Sequence, residues 1–377
     1  MASIAKHISK TTIWMLPWIL WWFLGNLDIV YGSYGDRSYI YQKCLRNCQF
    51  ENCSKAASIS RFKERQPWFE EKLQWTCEDE CQHQCMWVTV EAFRKDTIDI
   101  PQFHGKWPFL RVLGIQEPAS VVFSVLNGLY HLLILTYRRT VPSSTPMYYV
   151  WHVVAVIGLH AWTWSTIYHS RDFPLTEKMD YFCAFSLVLA NLGSLLCRVL
   201  GTENRRRITI ILLILLIIYL QHIWYLAFVK FNYGYNMKVN IAYGCVNLLG
   251  WLGWCWRNWT ELHHTRKCLI VMVGMTILPL LEVLDFPPIW WTFDAHSLWH
   301  AGTIPLGILW YRYYLHTDEK VKITNSDQSH NSYKQYKIES WGNTDPWIYH
   351  RWDQVPGRSK LPLLTGHTHR EPPILIG

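Results

Sequence analysis

Ser165 and His169 stand four residues apart, His296 and His300 repeat that spacing near the other end of the chain, and Asp180 follows His169 by eleven residues. Residues four apart share one face of a helix, so each pair points its side chains in a common direction. An i, i+4 histidine pair can chelate one metal ion, and a third imidazole from another helix completes a three-ligand zinc site with one position open to water. A carboxylate beside such a site can take up a proton, and a hydroxyl can hold a developing oxyanion. These residue types and spacings point to hydrolysis, with His169, His296 and His300 as zinc ligands, Asp180 as the proton acceptor and Ser165 as a partner of the oxyanion or the water. A nucleophilic Ser165 with His169 as its base is the alternative, but four residues along one helix leave no obvious third group to orient that base. Taken singly, a histidine at a membrane boundary is more often a polar-tipped packing residue, which is how His152, His160 and His222 are read. The shared spacing of the set argues for more than packing.

The elements that carry these residues are long apolar blocks. They recur at 118–137, 148–167, 181–199, 208–229, 239–256, 268–284 and 295–314, each close to the ~20 residues that cross a bilayer. Backbone groups in lipid must be satisfied internally, so the blocks are predicted to be helices. The composition agrees: half of the 377 residues are hydrophobic, 17% are charged, and the 23 tryptophans and 21 tyrosines suit membrane–water boundaries. The net charge of +8 would fit a nucleic-acid binder, but the basic residues sit in short loops between apolar blocks, which excludes that class. Arg138 and Arg139, then 205–207, then Arg257, Arg266 and Lys267, and finally Arg312 alternate with loops at 168–180, 230–238 and 285–294 that hold fewer positive charges. By the positive-inside rule the basic loops face the cytosol and the N-terminus the lumen. The predicted fold is an all-α membrane protein, a seven-transmembrane-helix bundle whose second, third and seventh spans bring His169, Asp180, His296 and His300 to one layer below the luminal surface.

Ahead of the bundle, Lys6 and Lys10 precede a short apolar core at 13–24 and the small residues Val30 and Gly32, the pattern of a cleaved signal peptide, with an uncleaved anchor as the alternative. Six of the 11 cysteines, Cys44, Cys48, Cys53, Cys77, Cys81 and Cys85, lie in the hydrophilic stretch that follows. An even number in an oxidising compartment predicts three disulfides, with connectivity open. The four-residue spacing of Cys77, Cys81 and Cys85 suggests two short helices stapled together, and a zinc cluster is the rival reading. Asn52-Cys53-Ser54 is a glycosylation sequon on the luminal side, whereas that at Asn258 falls in a cytosolic loop. The expected organisation is a signal at 1–32, a cysteine-rich luminal domain at 33–117, a membrane hydrolase domain at 118–316 and a disordered cytosolic tail at 317–377. Ser124, Asn127 and His131 form a polar stripe at helical spacing, and Asn191 lies near the face of Asp180; helix packing is the favoured reading of both. Glu282 is read in the same way and left outside the site. His104, Lys106 and Trp107 are candidates for contact with an anionic lipid head or for interface anchoring.

The Ser165-x3-His169, Asp180 and His296-x3-His300 set resembles the signature of the integral-membrane hydrolase superfamily that includes alkaline ceramidases and adiponectin receptors. The run QFHGKWPFLRVLGIQEPASVVFSVLNG at 102–128, and the cysteine pattern ending in Cys85-Met86-Trp87, resemble the GPI-remodelling phospholipases of that superfamily across residues 35–322. That resemblance implies zinc on the three histidines and GPI-anchored proteins as the lipid substrate, with removal of the sn-2 acyl chain of the anchor in the Golgi membrane, the endoplasmic reticulum being the alternative location. A ceramidase is the rival enzyme. A seven-span receptor or luminal folding factor with a structural metal site is the alternative of another class.

Overall fold

The computed structural model describes residues 33–260, 262 and 264–329. The signal expected at 1–32 and the tail beyond Ser329 fall outside the described residues. Among the described residues the regular elements are helical, and strand-like pairing is confined to isolated bridges at Phe103–Lys106, Val112–Ile115 and Ile289–Phe293.

The cysteine-rich region is built around two helices, α1 (Tyr39–Cys48) and α2 (Cys77–Lys95), with further helical segments at Tyr34–Arg37, Ala56–Arg65 and Trp68–Lys72. They are joined by the disulfides Cys44–Cys85, Cys48–Cys81 and Cys53–Cys77, with Cα separations of 5.6, 5.7 and 5.7 Å. The nested order follows from two antiparallel rows of thiols facing each other, so the zinc reading of these cysteines falls away. On α2 the cysteines recur every four residues, but from Cys48 to Cys53 the step is five. The extra residue is absorbed by a π-helical turn, Gln49–Cys53, which widens the turn and keeps Cys53 on the bonded face. A reciprocal cap starts α2: Asp79 N–H donates to Thr76 Oγ1 at 3.2 Å and Thr76 N–H donates to Asp79 Oδ2 at 2.9 Å.

The bundle follows as α3 (Pro118–Thr140), α4 (Tyr148–Ser170), α5 (Pro174–Leu200), α6 (Arg205–Val229) and α7 (Tyr233–Arg257). Next comes α8, which opens at Thr265–Ile277, passes through a 3-10 turn at Leu278–Leu280 and ends as Leu281–Leu284, and then α9 (Ala295–Ser329). Helices α3, α5 and α6 are 23, 27 and 25 residues long, and an 18-residue stretch of each has a mean hydropathy of 1.7, 1.8 and 2.3, enough to cross a bilayer, which makes this a membrane protein. Helices α4 and α7 match that length at 23 and 25 residues. Their histidines, asparagines and tryptophans dilute the apolar signal, and some of them, such as Trp151, His169, Asn236 and Trp251, are buried in the interior. Helix α5 begins almost two turns before the apolar block does, at Pro174 in the first helical position, so Asp180 sits inside the helix rather than opening it.

The cysteine-rich region is held to the bundle by Trp75, whose ring lies between the guanidinium groups of Arg111 and Arg171, 3.4 and 3.7 Å from its centroid. Those arginines pair with Glu80 and Asp79 of α2 at 3.0 and 2.7 Å. Cation–π contact and two ion pairs thus work on one joint.

Helix α9 does not stop at 314, where apolar composition does. It runs to Ser329, and Asp318, placed by composition in the tail, is 1% exposed. Its carboxylate accepts from Tyr137 Oη at 2.7 Å and Trp151 Nε1 at 2.9 Å and pairs with Arg198 at 3.1 Å. Trp151 in turn stacks on Tyr314 with centroids 3.6 Å apart. Asp318→Ala strands Arg198 in a buried site and is expected to cost about 3–5 kcal/mol, seen as a lower thermal midpoint in detergent; an unchanged midpoint would remove Asp318 from the core. Replacing one cysteine of a bridge by serine is expected to cost about 2–5 kcal/mol, whereas Cys197→Ser, a free thiol, should cost less in the same melt.

Candidate metal centre

His169 lies in the last turn of α4, and backbone contacts fix that turn against the start of α3. Glu117 N–H donates to the His169 carbonyl and Gln116 N–H to that of Ser170, both at 3.0 Å. Glu117 is the N-cap of α3 and Pro118 its first helical residue, so the chain enters the bundle with the Glu117 side chain beside His169. The first turn of α9 is set by Asp294 and Ser297: Ser297 N–H donates to Asp294 Oδ1 at 2.9 Å and Asp294 N–H donates to Ser297 Oγ at 3.0 Å. One cap therefore aims both His296 and His300, which stand on the same face.

The three rings converge. Centroids are 5.1 Å apart for His169 and His296, 5.3 Å for His169 and His300, and 4.5 Å for His296 and His300. One ligand nitrogen from each lies within 4.8 Å of the others. Each Nδ1 has its own partner: Glu117 Oε2 at 2.6 Å for His169, Glu282 Oε2 at 3.0 Å for His296, and Ser124 Oγ at 3.1 Å for His300. A carboxylate accepts from Nδ1–H, which leaves the Nε2 lone pair for a metal, the arrangement in which ligating histidines are oriented from behind. His169 Nε2 is buried and has no hydrogen-bond partner. Such an orphan is costly unless something else binds it. The donor set therefore fits a zinc ion held by His169, His296 and His300.

The remaining expected residues are at the same place. Ser165 Oγ is 3.1 Å from Ser124 Oγ, and Asp180 sits beside Ser165, within electrostatic reach of His169 and His296. Asn127 braces the layer from beneath, donating to the His300 carbonyl at 2.8 Å and accepting from Thr303 Oγ1 at 3.0 Å. The polar stripe on α3 divides: Ser124 and Asn127 serve the centre, and His131 turns away to Tyr311 Oη at 3.0 Å. Asn191 bonds the Leu187 carbonyl of its own helix. His152 bonds the Tyr148 carbonyl, His160 pairs with Trp164 and Cys183, and His222 pairs with Asn236, all packing contacts as read from sequence.

Sequence reasoning missed two carboxylates. Glu282 was left outside the site, yet it backs His296 from the last turn of α8, which follows a 3-10 interruption. Glu117 precedes its span by one residue and so fell into the luminal region. Its signal was an acid immediately before a helix-initiating proline. Lys106, a candidate for an anionic head group, is instead engaged by Glu117 at 2.6 Å and Asp172 at 3.0 Å. Burial alone would raise the Glu117 carboxyl, but Lys106 and then His169 outweigh it and hold it below the usual carboxylate range. For Lys106, burial works to lower the ammonium, and Glu117 and Asp172 raise it above the ordinary lysine value.

Fold and site together define a helical membrane protein with a three-histidine cluster, buried at His169 and His300 and half-buried at His296, that can hold a metal ion. The chain belongs to the Per1-like family, which it matches over residues 67–318. It is 47% identical over 283 residues to a mouse protein named GPI-specific phospholipase A2-like PGAP3, covering 75% of this chain and 88% of the relative. The human protein of that name is 44% identical over 290 residues, 77% of this chain and 90% of the relative. A Drosophila melanogaster relative named post-GPI attachment to proteins factor 3 is 44% identical over 286 residues, 74% and 87% of the two chains. No solved structure matches.

Zinc titration of the purified protein tests the donor set. Single replacement of His169, His296 or His300 by alanine should abolish stoichiometric binding. Glu117→Gln should leave the ligands in place and weaken affinity about 10- to 100-fold, the usual effect of losing an outer partner. Full affinity in any of the alanine variants would exclude that histidine as a ligand.

Proposed function

We propose that this protein is a zinc-dependent membrane hydrolase that removes the sn-2 acyl chain from the lipid of GPI-anchored proteins. The convergence of His169, His296 and His300 with Asp180 and Ser165 carries this reading, and the names of the PGAP3 relatives supply the substrate. Zinc bound there would acidify a water molecule and polarise the ester carbonyl. His169 and His296 are held in one tautomer by Glu117 and Glu282, so their orientation costs nothing at the moment of reaction. A carboxylate oxygen of Asp180 accepts the proton of the attacking water and passes it to the departing alkoxide oxygen of the lipid. Ser165 Oγ, fixed by Ser124, donates to the oxyanion of the tetrahedral intermediate. A covalent route with His169 as the base of Ser165 is disfavoured, because His169 Nδ1 is occupied by Glu117 and Nε2 belongs to the cluster.

In this reading α3 to α9 are seven spans with the metal centre near the luminal surface. The arginine-rich connections face the cytosol, the disulfide region faces the lumen, and the organelle is the Golgi. The signal at 1–32, the luminal domain at 33–117, the hydrolase domain from 118 and the cytosolic tail follow from that topology, with the last helix reaching Ser329.

Anchor lipids of cells lacking the protein should retain their original sn-2 chain, and restoring the wild type should remove it. Asp180→Asn keeps the shape but cannot accept a proton, so bound zinc should persist while turnover falls about 10²–10⁴-fold. Unchanged anchor lipids would favour a receptor or folding factor with a structural metal; release of an amide-linked chain instead would favour a ceramidase.

A further inference from the structure

We infer that Lys106 is a positioning residue for the metal centre, through which the disulfide-bonded region sets the aim of His169. The inference rests on the proposed zinc site and extends it outward by two residues.

Lys106 Nζ lies 2.6 Å from Glu117 Oε1 and 3.0 Å from Asp172 Oδ2, and 4.5 Å over the Tyr168 ring. The ammonium is thus engaged by two carboxylates and one ring face, and the side chain is 23% exposed, so its charge is matched within the protein rather than offered to a lipid phosphate. What the contacts do is geometric. A carboxylate gripped at Oε1 cannot swing, and the opposite oxygen, Oε2, is the one 2.6 Å from His169 Nδ1. Asp172, in the loop that follows His169, grips the same ammonium. One cation therefore ties the start of α3 to the end of α4 across the ligand.

Lys106 is itself placed by the cysteine-rich region. Its backbone closes a tight bridge with Phe103, N–H to carbonyl at 2.9 and 2.7 Å, around His104 and Gly105, which both take left-handed φ, 50° and 78°. Gly35 N–H donates to the Gln102 carbonyl at 3.2 Å, His104 N–H to Asp36 Oδ1 at 2.6 Å, and Tyr41 Oη meets His104 Nε2 at 2.7 Å. On the far side Trp107 Nε1 donates to Asp285 Oδ1 at 2.7 Å, at the end of the short helix that carries Glu282. Both carboxylates that back the zinc ligands are thereby referred to one loop, and that loop is anchored beside a disulfide-bonded helix. Docking of the luminal region and completion of the metal centre are a single event in this account.

The test is a double-mutant cycle read as zinc affinity in the purified full-length protein, by competition with a chromophoric chelator, together with the visible spectrum of the cobalt-loaded protein as a report on ligand geometry. Lys106→Met should weaken zinc about tenfold or more and shift the cobalt bands as Glu117→Gln does. In the Glu117→Gln background Lys106→Met should cause no further loss, because its effect passes through that carboxylate. Lys106→Gln, which keeps a donor of similar reach without charge, is measured alongside so that the cycle can be closed if the methionine variant does not fold; it should weaken zinc in the same direction and likewise add nothing to Glu117→Gln. Wild-type affinity and spectrum in the folded Lys106 variants, or losses that multiply with that of Glu117→Gln, would overturn the inference. A wild-type protein that binds no zinc would overturn the metal reading itself, a result distinct from either.

Discussion

The hydrogen bond between Glu117 and His169, 2.6 Å long and almost closed to solvent, constrains most of this structure. A buried carboxylate is tolerated only when it is paired and its lone pairs are used. Glu117 meets that demand with Lys106 on one oxygen and His169 on the other, and its own N–H is spent on the His169 carbonyl. Those contacts dictate where α3 begins, where α4 ends and how close the preceding loop must come. The same geometry that satisfies the carboxylate leaves His169 Nε2 facing the other two histidines.

The membrane sharpens the division of labour among helices. Of the three helices whose composition suffices to cross a bilayer, α6 is the most apolar and carries none of the clustered histidines, which stand on α4 and α9. Their polar side chains are used in layers: Asn127 and Thr303 under the histidines, and Asp318 with Arg198, Tyr137 and Trp151 toward the other end of α9. Each layer joins two or more helices by hydrogen bonds, the form of association available where lipid offers no hydrophobic drive. Outside the bundle, where a small region has little core of its own, three disulfides do that work instead.

The histidine cluster was legible because helical spacing is a periodic signal: four-residue steps place Ser165 with His169 and His296 with His300 whatever the tertiary detail. The position of Asp180 beside that cluster was legible by proximity to a span. The staple of α1 and α2 was legible from cysteine number and spacing, but its nested connectivity was not, since the five-residue step from Cys48 to Cys53 needs a π turn that no periodicity announces. Glu117 and Glu282 were hidden for a related reason. Each sits at an irregularity, one at a cap before proline and the other after a 3-10 break, where the direction of a side chain depends on packing rather than on period. Hydropathy also ended the last helix too early, because Asp318 is charged and reads as surface until its three partners are seen. Lys106 was open to a head-group contact or interface anchoring for the same reason, as a lone cation in sequence that is doubly paired in space.

The central claim, metal-dependent hydrolysis at the three-histidine centre, is tested most directly by presenting the purified protein with a GPI-anchored substrate labelled in its sn-2 chain, before and after chelation and again after zinc is restored. The account predicts release of labelled fatty acid by the loaded protein, loss of release on chelation and recovery with zinc. Release that persists in chelator, and in a folded variant with His169, His296 and His300 all replaced by alanine, would contradict it.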